Sequence, residues 1–165
     1  MIMGNSMVWN QTKQVESFLQ KAVRTISDYL NETTLSKLVE EREGVDKAYC
    51  ELLLANLRRL VVFCEEGLEE CRIVLREEPF RKTAAEKALY RVYHLCIAEY
   101  FTPKSDAWYE DSRSAYTGRN SLKFRQTPPP SLQVLLLSLE SEFQAIREEL
   151  EFYETDYRTK MIQSK

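Results

Sequence analysis

Leu132, Leu135, Leu136, Leu139, Phe143, Ile146, Leu150, Tyr153, Tyr157 and Met161 recur every three or four positions toward the end of the chain. On a helix of 3.6 residues per turn they form one apolar stripe, with Glu140, Gln144, Glu148, Glu151 and Arg158 mostly behind it. The spacing predicts a helix over 131–161, opened by Ser131 as its cap and roughly 45 Å long at 1.5 Å rise per residue. Such a stripe is too apolar to stand alone in water, so the upstream chain must cover it.

Three further segments carry the same repeat. Val15, Phe18, Leu19, Ala22, Ile26, Tyr29 and Leu30 predict a first helix over about 10–31. Asn31-Glu32-Thr33-Thr34 breaks it, and Thr34 can cap a short helix through Val39. Tyr49, Leu53, Leu57, Leu60, Cys64, Leu68, Cys71 and Leu75 mark a second long helix over about 46–77. Gly67 lies on that apolar side, where a glycine costs roughly 1 kcal/mol against alanine; close approach of another helix is the compensation to expect. Glu77-Glu78-Pro79 leaves almost no linker, and Pro79 suits the first position of a third helix, about 79–101, antiparallel to the second. The third helix has two stripes. Ala85, Ala88, Leu89, Val92, Cys96 and Tyr100 make one; Tyr90, His94, Ile97 and Phe101 make another nearly opposite, which also needs cover.

Residues 102–130 lose the helical period. They hold Trp108, Tyr109, Tyr116 and Phe124 and a turn signal, Thr117-Gly118-Arg119-Asn120, so 113–126 reads as a β-hairpin or compact loop lying on the third helix. Pro128-Pro129-Pro130 stiffens the exit. The expected architecture is all-α and a single domain over 1–165. It is a four-helix bundle with a short extra helix after helix 1 and an irregular or β-hairpin insertion between helices 3 and 4.

Composition narrows the function classes. Hydrophobic residues make up 44% and charged residues 30% of 165, with four glycines, which suits a packed helical domain. A formal charge of −3 argues against general nucleic-acid binding. No apolar run approaches the ~20 residues that span a bilayer, and the start shows no signal peptide, so a cytoplasmic protein is expected. Cys50, Cys64, Cys71 and Cys96 lack C-x-x-C spacing and fall on apolar faces, which reads as core thiols in a reducing compartment.

Candidate chemistry is sparse. A di-metal carboxylate bundle needs Glu-x-x-His on two helices; the only histidine, His94, has Arg91 three positions earlier, so neither metal nor cofactor is expected. His94 is a weak candidate for a general base, since no Ser or Cys constellation stands beside it. The insertion is more informative: Lys104, Arg113, Arg119, Lys123 and Arg125 against Asp106, Glu110 and Asp111 give it a net +2 on an acidic chain. Arg113, Tyr116, Arg119, Lys123 and Arg125, with Trp108, are candidate contacts for a phosphate, a carboxylate or an unstacked base. The competing reading has these arginines pairing with the acidic helices to pin the loop down. No phosphate-loop or dinucleotide motif is present. The acidic-aromatic end, Arg147 to Arg158, with Phe152 off the stripe, is a candidate surface for a protein partner or a second copy, against an ordinary bundle end.

Several segments carry a family resemblance: Asn56-Leu57-Arg58-Arg59-Leu60, Val62-Phe63-Cys64-Glu65-Glu66-Gly67-Leu68 and Glu78-Pro79-Phe80-Arg81-Lys82. Pro103-Lys104-Ser105-Asp106-Ala107-Trp108, Ala115-Tyr116-Thr117-Gly118 and Tyr153-Glu154-Thr155-Asp156-Tyr157-Arg158 continue it. Through these the chain resembles the uncharacterised YpuI-type family of Bacillus and its relatives. The resemblance implies a bacterial cytosolic protein and carries no activity, cofactor or catalytic residue. The expectation is a non-enzymatic interaction or scaffold module; the alternative is a binder of a small anion or single-stranded nucleic acid through 102–127.

Overall fold

The computed structural model describes residues 2–111 and 121–153. It is mostly helical, with a small antiparallel hairpin. The elements run α1 Ile2–Glu32, α2 Leu35–Glu40 and α3 Lys47–Arg76. Then come α4 Lys82–Arg91, a π-helical turn Val92–Ile97, α5 Ala98–Phe101, β1 Trp108–Glu110, β2 Leu122–Phe124 and α6 Pro130–Leu150.

α1 begins well before the expected position 10, because Val8 extends the stripe back: it is buried, as are Val15, Leu19 and Ile26. Thr34 caps α2 as expected, its Oγ1 accepting from the Lys37 N–H at 3.2 Å. Asp46 caps α3 in the same way, accepting from Ala48 N–H at 3.0 Å. α1 and α3 share the most extensive helix contact, and Gly67 lies within it. A Cβ there would stand 3.2 Å from Leu19 Cδ1, 3.2 Å from Val92 Cγ2 and 3.4 Å from Cys96 Sγ. The close approach expected of this glycine is present, and both α1 and the π turn make it.

Pro79 does not open the third helix. It sits at a bend in a short link with a cis Glu78–Pro79 bond; Phe80 packs half-buried on the core and the helix starts at Lys82. The two stripes of this helix also resolve differently from a rod covered front and back. In the π turn, hydrogen bonds close one residue later than in an α-helix, which shifts the phase of the residues beyond it. Val92, Cys96, Ile97, Tyr100 and Phe101 are therefore buried together, while Tyr90 and His94 are only half-buried.

Ser131 is not the cap of the last helix. Pro129 holds that place with Pro130 in the first turn, and Ser131 is bonded to Glu41 instead. α6 ends at Leu150, and the expected continuation from 154 to 161 lies outside the described residues. Phe143 is the centre of this half of the core, stacked on Tyr100 at 4.0 Å between centroids and edge-on to Phe18 at 4.9 Å. Among the described residues no helix is long and apolar enough to cross a membrane.

Candidate functional site

The hairpin comes from two short alternating runs, Trp-Tyr-Glu and Leu-Lys-Phe. Trp108 pairs with Phe124, Tyr109 with Lys123 and Glu110 with Leu122, so Trp108 and Leu122 go into the core while Tyr109 and Lys123 face water. The strands only partly match the expected span, 113–126. The turn Thr117–Asn120 falls outside the described residues, as do Arg113, Tyr116 and Arg119.

Specific polar contacts fasten the insertion to the helices. Ser105 Oγ–H donates to Asn56 Oδ1 at 2.6 Å, and Trp108 Nε1–H donates to the Tyr100 carbonyl at 2.6 Å. Tyr49 OH donates to the Ala107 carbonyl at 2.7 Å and accepts from Arg125 N–H at 3.1 Å. Arg147 grips Glu110 with two parallel bonds, at 2.9 and 2.6 Å, while its guanidinium lies 3.7 Å over the Phe101 ring. Glu140, expected behind the apolar stripe of α6, is instead buried, where its Oε2 accepts from Ser121 N–H at 3.3 Å. Trp108, a candidate ligand contact, is thus a core residue: it is 0% exposed and its ring N–H is satisfied internally.

Beyond β2 lies an open cleft of about 650 Å³. One wall is the chain from Leu122 to Pro128, the other is Gln133 and Leu137 of α6, and Arg42 closes one side. Lys123 and Arg125, two of the candidates from the sequence, both line this cleft. Arg125 is partly committed: it pairs with Asp106 at 2.7 Å and its guanidinium lies 4.2 Å over the Tyr109 ring. Asp106 belongs to the insertion itself, so this pair ties the loop to itself and not, as the competing reading expected, to an acidic helix. Arg42 and Lys123 make no ion pair among the described residues, and no described Asp or Glu lines the cleft.

Arg42 escaped the sequence reading because only tertiary structure brings it to β2. The turn after α2 is fixed to the start of α6 by Glu41, which accepts from Ser131 N–H at 2.8 Å and from Ser131 Oγ–H at 2.5 Å. Tyr29 OH completes this network, 2.8 Å from Ser131 Oγ. Ninety positions separate Glu41 from Ser131, so no local signal could reveal the bond.

The cleft gathers the kinds of donor that anionic groups accept from. Guanidinium and ammonium donors give charge-assisted hydrogen bonds to carboxylate or phosphate, and Gln126 and Gln133 add neutral donors. The cleft is open to solvent, where any attraction between charges is screened by salt. His94 does not line it; the ring lies between Tyr90 and Tyr93, at centroid distances of 4.4 and 5.3 Å. Among the described residues no group of three or more His, Cys, Asp or Glu side chains is placed to hold a metal ion. The four cysteines are free and buried.

A family model described as "Protein of unknown function (DUF3907)" matches residues 12–159. The chain belongs to the DUF3907 family. A curated relative, "Uncharacterized protein YpuI" of Bacillus subtilis (strain 168), is 49% identical over 152 residues, covering 92% of this chain and 84% of that protein. No solved structure matches.

Proposed function

We propose that this DUF3907 chain is a non-enzymatic binding module that holds an anionic group of its partner in the cleft beside β2, on a four-helix-bundle scaffold. One observation carries the reading. Arg42, Lys123 and Arg125 converge from two distant parts of the chain on a cleft without a described lining carboxylate, and two of the three cations make no ion pair among the described residues. On an acidic protein, ion pairing is the ordinary fate of such side chains, so leaving two unengaged at one cleft favours recognition over loop anchoring. Cytoplasmic location and action through a protein partner are part of the same proposal.

The test is an NMR titration of labelled protein with inorganic phosphate, citrate and oligothymidylate at low and high salt. Citrate or phosphate is expected to shift the Gln126, Gln133, Arg42 and Lys123 side-chain signals, less so at high salt, and Arg42→Ala/Lys123→Ala is expected to abolish the shifts. Shifts confined to other surfaces, or unchanged in the double variant, overturn the reading. A response to oligothymidylate alone replaces it with single-strand binding.

A further inference from the structure

Among the described residues β2 has a single neighbour in its sheet, β1. In an antiparallel pair, residues alternate between those that exchange hydrogen bonds with the neighbour and those whose N–H and C=O point away. Asp111 N–H donates to the Ser121 carbonyl at 2.6 Å, which fixes the phase of the alternation. Tyr109–Lys123 is then the next bonded pair, and Leu122 and Phe124 turn their main-chain groups away from β1. Among the described residues no hydrogen bond reaches those groups. The strand that owns this edge is also the wall of the cleft.

An unpaired strand edge is a template for another strand, and proteins usually blunt it. Lys123 sits mid-edge with Arg125 just beyond it, so a second copy of β2 would set cation against cation. The same charges favour an acidic strand. Lys123 projects from the water-facing side, so a residue opposite it stands on that side too, while its neighbours face Phe124 and Leu137. This pattern asks for acidic residues alternating with apolar ones.

We infer that the free edge of β2 takes an extended acidic segment of a partner protein as a third strand. Main-chain bonds run to Leu122 and Phe124, and carboxylates stand against Arg42, Lys123 and Arg125. Affinity comes from the backbone ladder and selectivity from the cations. The inference rests on the anion-holding reading of the cleft and adds the ligand's class and posture.

A library of amidated octapeptides alternating Val or Thr with Asp or Glu is titrated into the full chain, and the best binder is then N-methylated one position at a time. Methylation at every second residue is expected to weaken binding at least about fivefold, the loss of one hydrogen bond, with little effect between. Hydrogen exchange at Leu122 and Phe124 is expected to slow on binding while that at Lys123, already paired, stays unchanged. Arg42→Ala/Lys123→Ala is expected to weaken the best peptide at least about tenfold, as two charge-assisted contacts are lost. Uniform tolerance of N-methylation overturns strand addition and leaves the anion cleft standing. So does a library with no binder beside a positive citrate titration. Silence from peptides and simple anions alike overturns both.

Discussion

A Cβ on Gly67 would press on Leu19, on the stiff Val92 and on Cys96 at 3.2–3.4 Å. Alanine there recovers roughly 1 kcal/mol of helix propensity but meets an overpacking cost of about 1–3 kcal/mol. Gly67→Ala is therefore expected to lower unfolding free energy by up to about 2 kcal/mol, and Gly67→Val by more, measured by urea denaturation. Neighbouring thiols feel the same dry interior. Burial pushes Cys71 up to about 12, and Cys96 is pushed well above its usual value by its hydrogen bond with Cys64 and then by burial. At pH 8 a disulfide reagent is expected to react with these thiols only as fast as the protein opens, and promptly in denaturant. Burial likewise raises the Tyr29, Tyr49, Tyr100 and Tyr153 phenols. A raised folded value favours the protonated form in the native state. The stability it contributes is whole below about pH 10, the unfolded value, and lost as pH climbs through the folded one. Unfolding midpoints are expected to fall above about pH 10, with phenolate absorbance rising in step with loss of helix.

The hairpin depends on tethers to its surroundings, since two three-residue strands alone are too small to be stable in water. Its firmest tether is the Glu110–Arg147 pair, with side chains 15% and 19% exposed. Cutting one partner strands the other in a half-dry site, at a cost of about 1–3 kcal/mol after discounting for that exposure. Glu110→Gln is expected to speed hydrogen exchange in β1 and β2 well before α1 or α3 responds. Uniform acceleration throughout the chain would show instead that the hairpin unfolds with the helices. The long helices were legible because a 3.6-residue period survives in the letters. The π turn was not, because Tyr90-His94 and Val92-Cys96 read alike as α spacing, and only packing against α3 and α6 decides where the phase slips.

At the scale of the molecule, the cations around the insertion divide by engagement rather than by place, since Arg125 shares its cleft with Arg42 and Lys123. Arg147 and Arg125 are engaged with Glu110 and Asp106, while Arg42 and Lys123 stand without such partners among the described residues. Ser131→Ala is expected to loosen the Glu41 turn and weaken anion binding about three- to tenfold through misplacement of Arg42, with global stability changed by only about 1 kcal/mol. Citrate titration and thermal melting of the same variant separate the two effects. Part of the candidate site was visible beforehand, as Lys123 and Arg125 in a basic insertion. Trp108 was placed there wrongly, because an aromatic beside cations looks the same in sequence whether it faces a ligand or, as here, Tyr100 and the core.

Periodicity alone determined the helical class, the long rods, the close contact at Gly67 and the burial of the thiols, since each depends on residues a turn or two apart. Which cations share a cleft, which carboxylate goes underground and which strand edge has no partner among the described residues were settled by contacts between residues far apart in the chain, such as Glu41 with Ser131 and Glu110 with Arg147. Those distances in space exist only once the apolar faces have closed on one another, because it is that closure that fixes where each turn and loop comes to rest.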